Sequence, residues 1–366
     1  MREFLSFDVV MQTIRRPVNI PNLVETVQHN CDVADARFAG DDTLCIYLLK
    51  MREYYRWVNE LHCGEVIDRE KLGNWIMQKE AAWDDKEEQD YHPLILGDQQ
   101  FDRFDNKQIN NILNPLGMIY SGGLGRRNRP IFFLGNLDAV EEAANCRVLI
   151  CGRELARSMA APPAMSHAGF IYVRRDALRR YLAALVEEWK WARRDNAMAD
   201  VMKYYGFDTA PDDALDTMVD REQENLILHE IGERIAEEMI GEGWQLAVGE
   251  IDNPIQELKM RAVRDNLADC VTSLPAFLTL SDQVSLDFYY ANMTPLRREM
   301  FPSFCEAYQT AKRRGGYQAL SRVVAQGRHH WLKMSQVLVS HRECEAKKPS
   351  SVELESVDQL LERCVF

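Results

Sequence analysis

Gly117-Met118-Ile119-Tyr120-Ser121-Gly122-Gly123-Leu124-Gly125-Arg126-Arg127-Asn128-Arg129-Pro130-Ile131-Phe132-Phe133-Leu134 is where the texture of this chain changes. Gly117–Tyr120 and Pro130–Leu134 read as two short strands. Between them, Ser121–Arg129 holds three glycines and three arginines and reads as a hairpin-like loop. A third strand is expected at Gly169–Val173, after Ala161-Pro162-Pro163. Leu137–Ala160 is expected to be helical, with a break near Gly152. These assignments place a small antiparallel sheet near residues 117–174, set among helices.

Outward from that sheet the pattern is helical. On its N-terminal side, Asp41–Leu61 is the first strong helix, with Leu44, Tyr47, Leu48, Met51, Tyr55 and Val58 at helical spacing. Arg69–Trp83 is a second helix, followed by an irregular stretch around His92-Pro93, Gly97 and Asp98. Lys107–Leu113 is a short helix that stops at Asn114-Pro115. On the C-terminal side, helices are expected at Asp176–Tyr205, Asp216–Ile240, Pro254–Leu274, Thr294–Ala311 and Tyr317–Ser340. Lys347–Ser351 reads as a linker. Val352–Phe366 reads as an amphipathic helix that docks on its own chain or on a neighbour, so a homo-oligomer is one arrangement this segment allows. The fold class is therefore mainly α: a helical bundle with a small antiparallel β-sheet or hairpin in the first half, α+β overall. Three regions follow: a mixed N-terminal lobe at 1–175, a bundle at 176–340, and a linker with terminal helix at 341–366.

Composition narrows the function classes. The 366 residues are 46% hydrophobic and 28% charged, enough to build a core. The net charge of −13 argues against general nucleic-acid binding, which needs Lys and Arg to neutralise phosphates. The arginines at 126, 127 and 129, those at 174, 175, 179 and 180, and Lys312-Arg313-Arg314 could each meet a small anion, but read first as solvated faces. The N-terminus lacks the layout of a signal peptide, and no apolar run reaches the ~18 residues of a membrane span. Nine scattered cysteines, none in CxxC, fit reduced thiols packed as small hydrophobes. A cytoplasmic protein with no membrane and no nucleic-acid partner is the expectation.

One helix concentrates ionisable groups: Arg221-Glu222-Gln223-Glu224-Asn225-Leu226-Ile227-Leu228-His229-Glu230-Ile231-Gly232-Glu233. His229 and Glu233 are four apart and share a face. Imidazole and carboxylate at that spacing can supply two ligands to a divalent metal, the one cofactor this pattern suggests, or form an acid–base pair. The zincin pattern H-E-x-x-H is not met, because Glu233 stands where its second histidine would be. Glu-x-x-His, the di-iron pattern, is absent too. Leu228, Ile231 and Ile235 form the apolar stripe. Glu224 falls on that stripe, where a carboxylate must be paired, protonated or exposed by an irregularity. Glu222, His229 and Glu233 line up along the flank.

The next helix carries Arg261, Asp265 and Asp269 at successive i, i+4 steps, opposite an apolar face of Met260, Val263, Leu267, Cys270 and Leu274. Small Ala262 and Ala268 beside them would let a second helix come close. Arg261 or Arg264 would then pair with Glu224 or Glu233. Two functional readings remain open. In one, the protein is an enzyme or binding protein for a small anionic ligand. Glu224, His229 and Glu233 would be the acid–base groups or ligands, and Arg261, Arg264 and Asp265 would hold the anion. In the other, the same charges form a purely structural ion-pair network of a non-catalytic interaction protein. His167, behind the Pro-Pro loop, is a lesser candidate with no partner visible in the sequence.

Overall fold

The computed structural model describes residues 16–366 apart from 63–64, 126–127, 193–195, 242, 250, 252 and 347–355. The expected linker Lys347–Ser351, and the loop residues Arg126 and Arg127, lie outside the described residues. The chain divides into two compact units, Met1–Glu188 and Trp189–Phe366. No helix among the described residues is long and apolar enough to cross a membrane.

The first unit is built on helix α1 (Ile20–Phe38), which precedes the segment expected to be the first strong helix. Asn19 caps it by accepting the Asn22 N–H, and Pro21 sits in its first turn, where a missing N–H costs nothing. Leu23, Val27, Cys31 and Ala34 recur along one face and are buried with Tyr120, Phe132 and Leu134 of the sheet. Helix α2 (Leu44–Val58) buries Met51 and Tyr54 but leaves Leu44, Leu48 and Val58 exposed, so its covered face is narrower than its apolar spacing suggests. Helix α3 (Arg69–Asp84) packs Trp83 into the same small cluster as Met51 and Tyr54. The stretch around Gly97 is a hairpin rather than irregular: β1 (Leu94–Leu96) pairs with β2 (Gln99–Phe101), and Gly97 has a φ of 68°. Helix α4 (Asn106–Leu113) follows.

Five strands form the main sheet, in the order β3-β4-β5-β7-β6. They are β3 (Met118–Leu124), β4 (Pro130–Ala143), β5 (Cys146–Arg157), β6 (Ala164–His167) and β7 (Phe170–Arg174). All neighbours are antiparallel except β5 and β7. The helix expected at Leu137–Ala160 is instead the long hairpin of β4 and β5. Its turn is made by Ala144 and Asn145, both at positive φ, a geometry that matches the twist of paired strands. The run Val148-Leu149-Ile150-Cys151 is buried throughout. A strand covered on both faces loses the two-residue alternation that would mark it, so periodicity cannot separate it from a buried helix. Gly122 and Gly123 belong to β3 and not to a loop. A Cβ on Gly122 would lie 2.2 Å from the Arg103 carbonyl oxygen, so glycine here serves close backbone approach. Arg129, the described arginine of that stretch, is buried and pairs with Asp35 at 2.8 Å. Arg129 thus belongs to a buried ion pair and not to a solvated loop face.

Helix α5 (Arg175–Ala192) crosses the division between the units. The second unit is helical: α6 (Ala197–Tyr205), α7 (Pro211–Ile240), α8 (Gly243–Gly249), α9 (Pro254–Val271), α10 (Ser273–Thr279), α11 (Gln283–Asn292), α12 (Pro295–Met300), α13 (Pro302–Arg314), α14 (Gln318–Ala346) and α15 (Val357–Glu362). The single helix expected at Thr294–Ala311 is two, α12 and α13, because Pro302 cannot continue the first and starts the second. One core gathers Met260, Val263 and Leu267 of α9, Phe301 and Phe304, and the fully buried Trp331 of α14. Ser356 and Gln359 form a capping box at the start of α15, which buries Val357, Leu360 and Leu361 in this same core. The terminal helix thus docks on its own unit. Helices α7 and α9 cross at Gly232, where an added Cβ would lie 2.3 Å from Thr272 Oγ1 and 2.7 Å from the Ala268 carbonyl oxygen. That close crossing brings the ionisable faces of the two helices together.

Candidate functional site

Helix α7 runs for 30 residues, starting at Pro211 rather than near Asp216. Its covered face includes Leu215, Met218, Val219, Glu222, Gly232 and Ala236. Its solvent stripe runs through Asp213, Thr217, Asp220 and Glu224. Glu224 is therefore exposed and is no part of the site. The expectation failed because the covered face of α7 is itself polar in the middle, so its apolar residues do not mark it. Glu222 takes the buried place that the sequence reading gave to Glu224, with 4% of its surface exposed.

His229 lies between two carboxylates. Its Nδ1 is 2.7 Å from Asp269 Oδ1 of α9 and its Nε2 is 3.3 Å from Glu233 Oε1. Burial alone would lower its pKa, but Asp269 and Glu233 outweigh burial and hold it well above the ordinary 6.5. With both nitrogens facing carboxylates, His229 is an imidazolium that donates twice. It is held as a fixed cation and has no lone pair to act as a base near neutrality.

Arg264 closes the other side of the cluster. Its Nη2 donates to Glu233 Oε1 at 2.5 Å and to Asp265 Oδ1 at 3.0 Å, and its Nη1 donates to Glu237 Oε1 at 3.1 Å. Burial would raise the Glu233 pKa, yet Arg264 and His229 pull it down to about 2. Glu230, buried beside Glu233 with no ion-pair partner among the described residues, is pushed up to about 8 by burial and by the Glu233 charge. Asp265 is shifted upward, by burial and then by Glu233. Arg261 does not reach α7. It bonds Glu257 one turn back on its own helix, at 2.9 Å. His229, Glu233 and Asp265 bring one ligand atom each to within 4.8 Å of one another, a donor set suited to a divalent cation. Arg264 already lies against two of those three groups, so its guanidinium supplies the charge that a metal would bring.

Beyond His229 the faces of α7, α9, α10, α11 and α12 line a half-open cavity of about 170 Å³. Leu226, Phe277, Phe288 and Met293 give it apolar walls. Arg297 of α12 stands at the Asp269 end. Its Nε donates to Asn266 Oδ1 at 2.9 Å, and its Nη2 donates to Asp269 Oδ2 at 2.5 Å and to Tyr289 Oη at 2.8 Å. Asp269 is thereby shared by two cations, which keep its pKa well below the usual carboxylate range against the opposing effect of burial. Glu222 also lines the cavity. Its Oε2 accepts from Asn225 Nδ2 at 3.1 Å, while its buried Oε1 has no hydrogen-bond partner among the described residues. Burial pushes its pKa up to about 8, so it is protonated at neutral pH. Ser273 Oγ is buried on the same cavity and likewise lacks a partner among the described residues. The titratable lining then carries two cations, His229 and Arg297, one anion, Asp269, and two neutral acids, Glu222 and Tyr289.

Arg297 and Ser273 went unnoticed in the sequence because neither sits in a motif. Arg297 occupies a six-residue helix, and Ser273 starts a seven-residue one. Both reach the cavity through the packing of α10–α12 beside α7. In the first unit His167 has a partner after all. Its Nε2 lies 2.6 Å from Ser121 Oγ, its ring stacks on Tyr172, and burial lowers its pKa to about 4. Ser121 is completely buried, so this pair has no exposed nucleophile and reads as core packing.

No curated protein and no solved structure matches the chain. Two family models do, and they lie end to end. Residues 22–174 match the N-terminal domain, and residues 179–359 the C-terminal domain, of a family of unknown function, DUF6866. With both domains present in order across most of its length, the chain belongs to the DUF6866 family.

Proposed function

We propose that this protein binds a small anionic molecule with an apolar body in the cavity between α7 and α9–α12. A carboxylate is the simplest such ligand. Arg297 would hold the anionic group beside the His229–Asp269 pair, and Glu222 would meet a polar group at the far end. The observation that carries this reading is the pair of buried polar atoms without partners, Glu222 Oε1 and Ser273 Oγ, on the same cavity as the Arg297 guanidinium. Folded proteins pair more than nine in ten of their buried polar groups, and an unpaired one costs about 1–3 kcal/mol. A ligand that satisfies both atoms would remove that cost. A void of ~150 Å³ takes a benzene-sized molecule, so the cavity suits a ligand of similar bulk.

The Arg264 end of the cluster supports a different role. Arg264, Glu233, Glu237 and Asp265 satisfy one another, and we assign them to fixing the crossing of α7 on α9. The structural-network reading thus suits one end of the cluster, and the ligand reading suits the other. A divalent metal at His229, Glu233 and Asp265 is the weaker alternative, because it would have to displace Arg264. Calorimetric titration with benzoate and with benzamide tests the ligand reading. Benzoate is expected to bind, and benzamide to bind at least about tenfold more weakly for want of a charged partner for Arg297. Equal binding of the two would remove the anion from the proposal.

A further inference from the structure

The two ends of the cavity differ in kind, and that difference specifies the ligand further. At one end Arg297 and His229 flank the Asp269 carboxylate. At the other is a carboxyl group, Glu222, with one oxygen unpartnered among the described residues. The residues that face Glu222 are few. Asn225 donates to its other oxygen and also to Ser285 Oγ at 3.0 Å, and Ser285 Oγ donates in turn to Asp282 Oδ2. Arg221 on its own helix, Asp282 before α11 and Tyr205 at the end of α6 are the titratable groups near it. Arg221 is paired with Asp282 at 3.5 Å. No cation is paired directly with Glu222 among the described residues. A carboxyl group so placed, walled by Phe277, Phe288 and Leu226, is what an incoming ammonium group would seek.

Resting on the anion-binding reading above, we infer that the ligand is a zwitterion: its carboxylate lies against Arg297, at the level of His229, and its ammonium lies against Glu222 and Ser273. The helix itself sets the separation of the two charges. Glu222 and His229 are seven residues apart on α7, nearly two turns, which places them on one face about 10.5 Å apart along the axis. Subtracting a hydrogen bond of about 2.9 Å at each end leaves ~5 Å between the charged groups of the ligand. An α-amino acid is too short for this span. A short ω-amino acid, with three methylenes between amine and carboxylate, fits. The apolar walls would cover those methylenes. On binding, Glu222 gives up its proton to solvent and becomes the carboxylate partner of the ammonium. The ligand's own groups keep their charges, and no covalent bond changes.

The test uses the full chain and three probes: 4-aminobutanoate, butanoate and butylamine. Each is titrated calorimetrically at pH 7 in two buffers of different ionisation enthalpy. 4-Aminobutanoate is expected to bind at least about tenfold tighter than either single-charge probe. It should release close to one proton, and both effects should vanish in Glu222→Gln while butanoate binding persists. Equal affinity for 4-aminobutanoate and butanoate overturns the zwitterion and leaves the anion reading standing. Binding of butylamine without butanoate, or of none of the three, overturns both. Should Glu222→Gln not fold, the proton release of the wild type alone decides. Tight 4-aminobutanoate binding without proton release would overturn the assignment of its ammonium to Glu222.

Discussion

Replacing Glu222 by glutamine should make the protein more stable, by an amount that grows with pH. Glu222 is buried, and its pKa rises from 4.5 to about 8 in the fold. A carboxyl group whose folded pKa lies above its unfolded value favours the native state fully below about pH 4.5. That advantage is lost as the pH rises toward about 8, because the unfolded chain ionises first. Each pH unit in that window costs about 1.4 kcal/mol. Between pH 5 and pH 7 the native state should lose about 3 kcal/mol on account of Glu222, and up to about 5 kcal/mol across the whole window. Glutamine has nearly the same shape and can still accept from Asn225, but it does not titrate. Glu230 titrates in the same range, yet it is present in both proteins and cancels in the difference. Urea unfolding of both proteins at pH 5, 6, 7 and 8 reads the effect directly. The difference in unfolding free energy should widen in favour of Glu222→Gln by about 1.4 kcal/mol per unit. A difference that stays constant across those four pH values would show that Glu222 is ionised in the fold, and the account of the cavity would lose its neutral acid.

Asp269→Asn should cost about 3–5 kcal/mol in urea unfolding, because it takes the shared partner from two cations in a buried cluster. Since the Asp269 pKa is depressed, the stability it contributes is present above its unfolded value of 3.8 and lost as the pH falls through the lower folded one. Gly232→Ala should lower stability by about 1–3 kcal/mol by forcing α7 away from Thr272 and Ala268; a neutral result would mean the crossing has slack. His229 should show imidazolium nitrogen shifts by NMR up to pH 8, and a titration centred near 6.5 would contradict its two-carboxylate setting. Wild-type melting should not respond to Zn²⁺, whereas Arg264→Met, which uncovers His229, Glu233 and Asp265, should gain a Zn²⁺-dependent rise.

Much of this could be read from the residues, and the failures share a physical cause. The α7–α9 pair was visible because Ala262 and Ala268 flag close approach and because ionisable groups cluster on both helices. The choice of Glu224 over Glu222 went wrong because apolar residues locate a covered face only when that face is apolar. Here the face of α7 toward the cavity carries Glu222, Asn225 and His229, so the hydrophobic stripe points elsewhere. The β4–β5 hairpin was misread for a related reason. Val148–Cys151 is apolar on both faces, and Glu141-Glu142-Ala143-Ala144 has the composition of a helix. Only pairing with β3 and β7 decides the matter, and pairing is a long-range property. Arg297 could not be found from its own segment. Its importance comes from Asp269, 28 residues away, which it meets through tertiary packing.

The central claim is that the cavity selects a small anion through Arg297. Thermal melting with butanoate, compared with the uncharged butanamide at the same ionic strength, tests it most directly. At about 100 times its dissociation constant butanoate should stabilise the protein by about 2.7 kcal/mol, a rise of several degrees, while butanamide leaves the midpoint in place. Equal shifts from the two compounds, or no shift from either, would contradict the account.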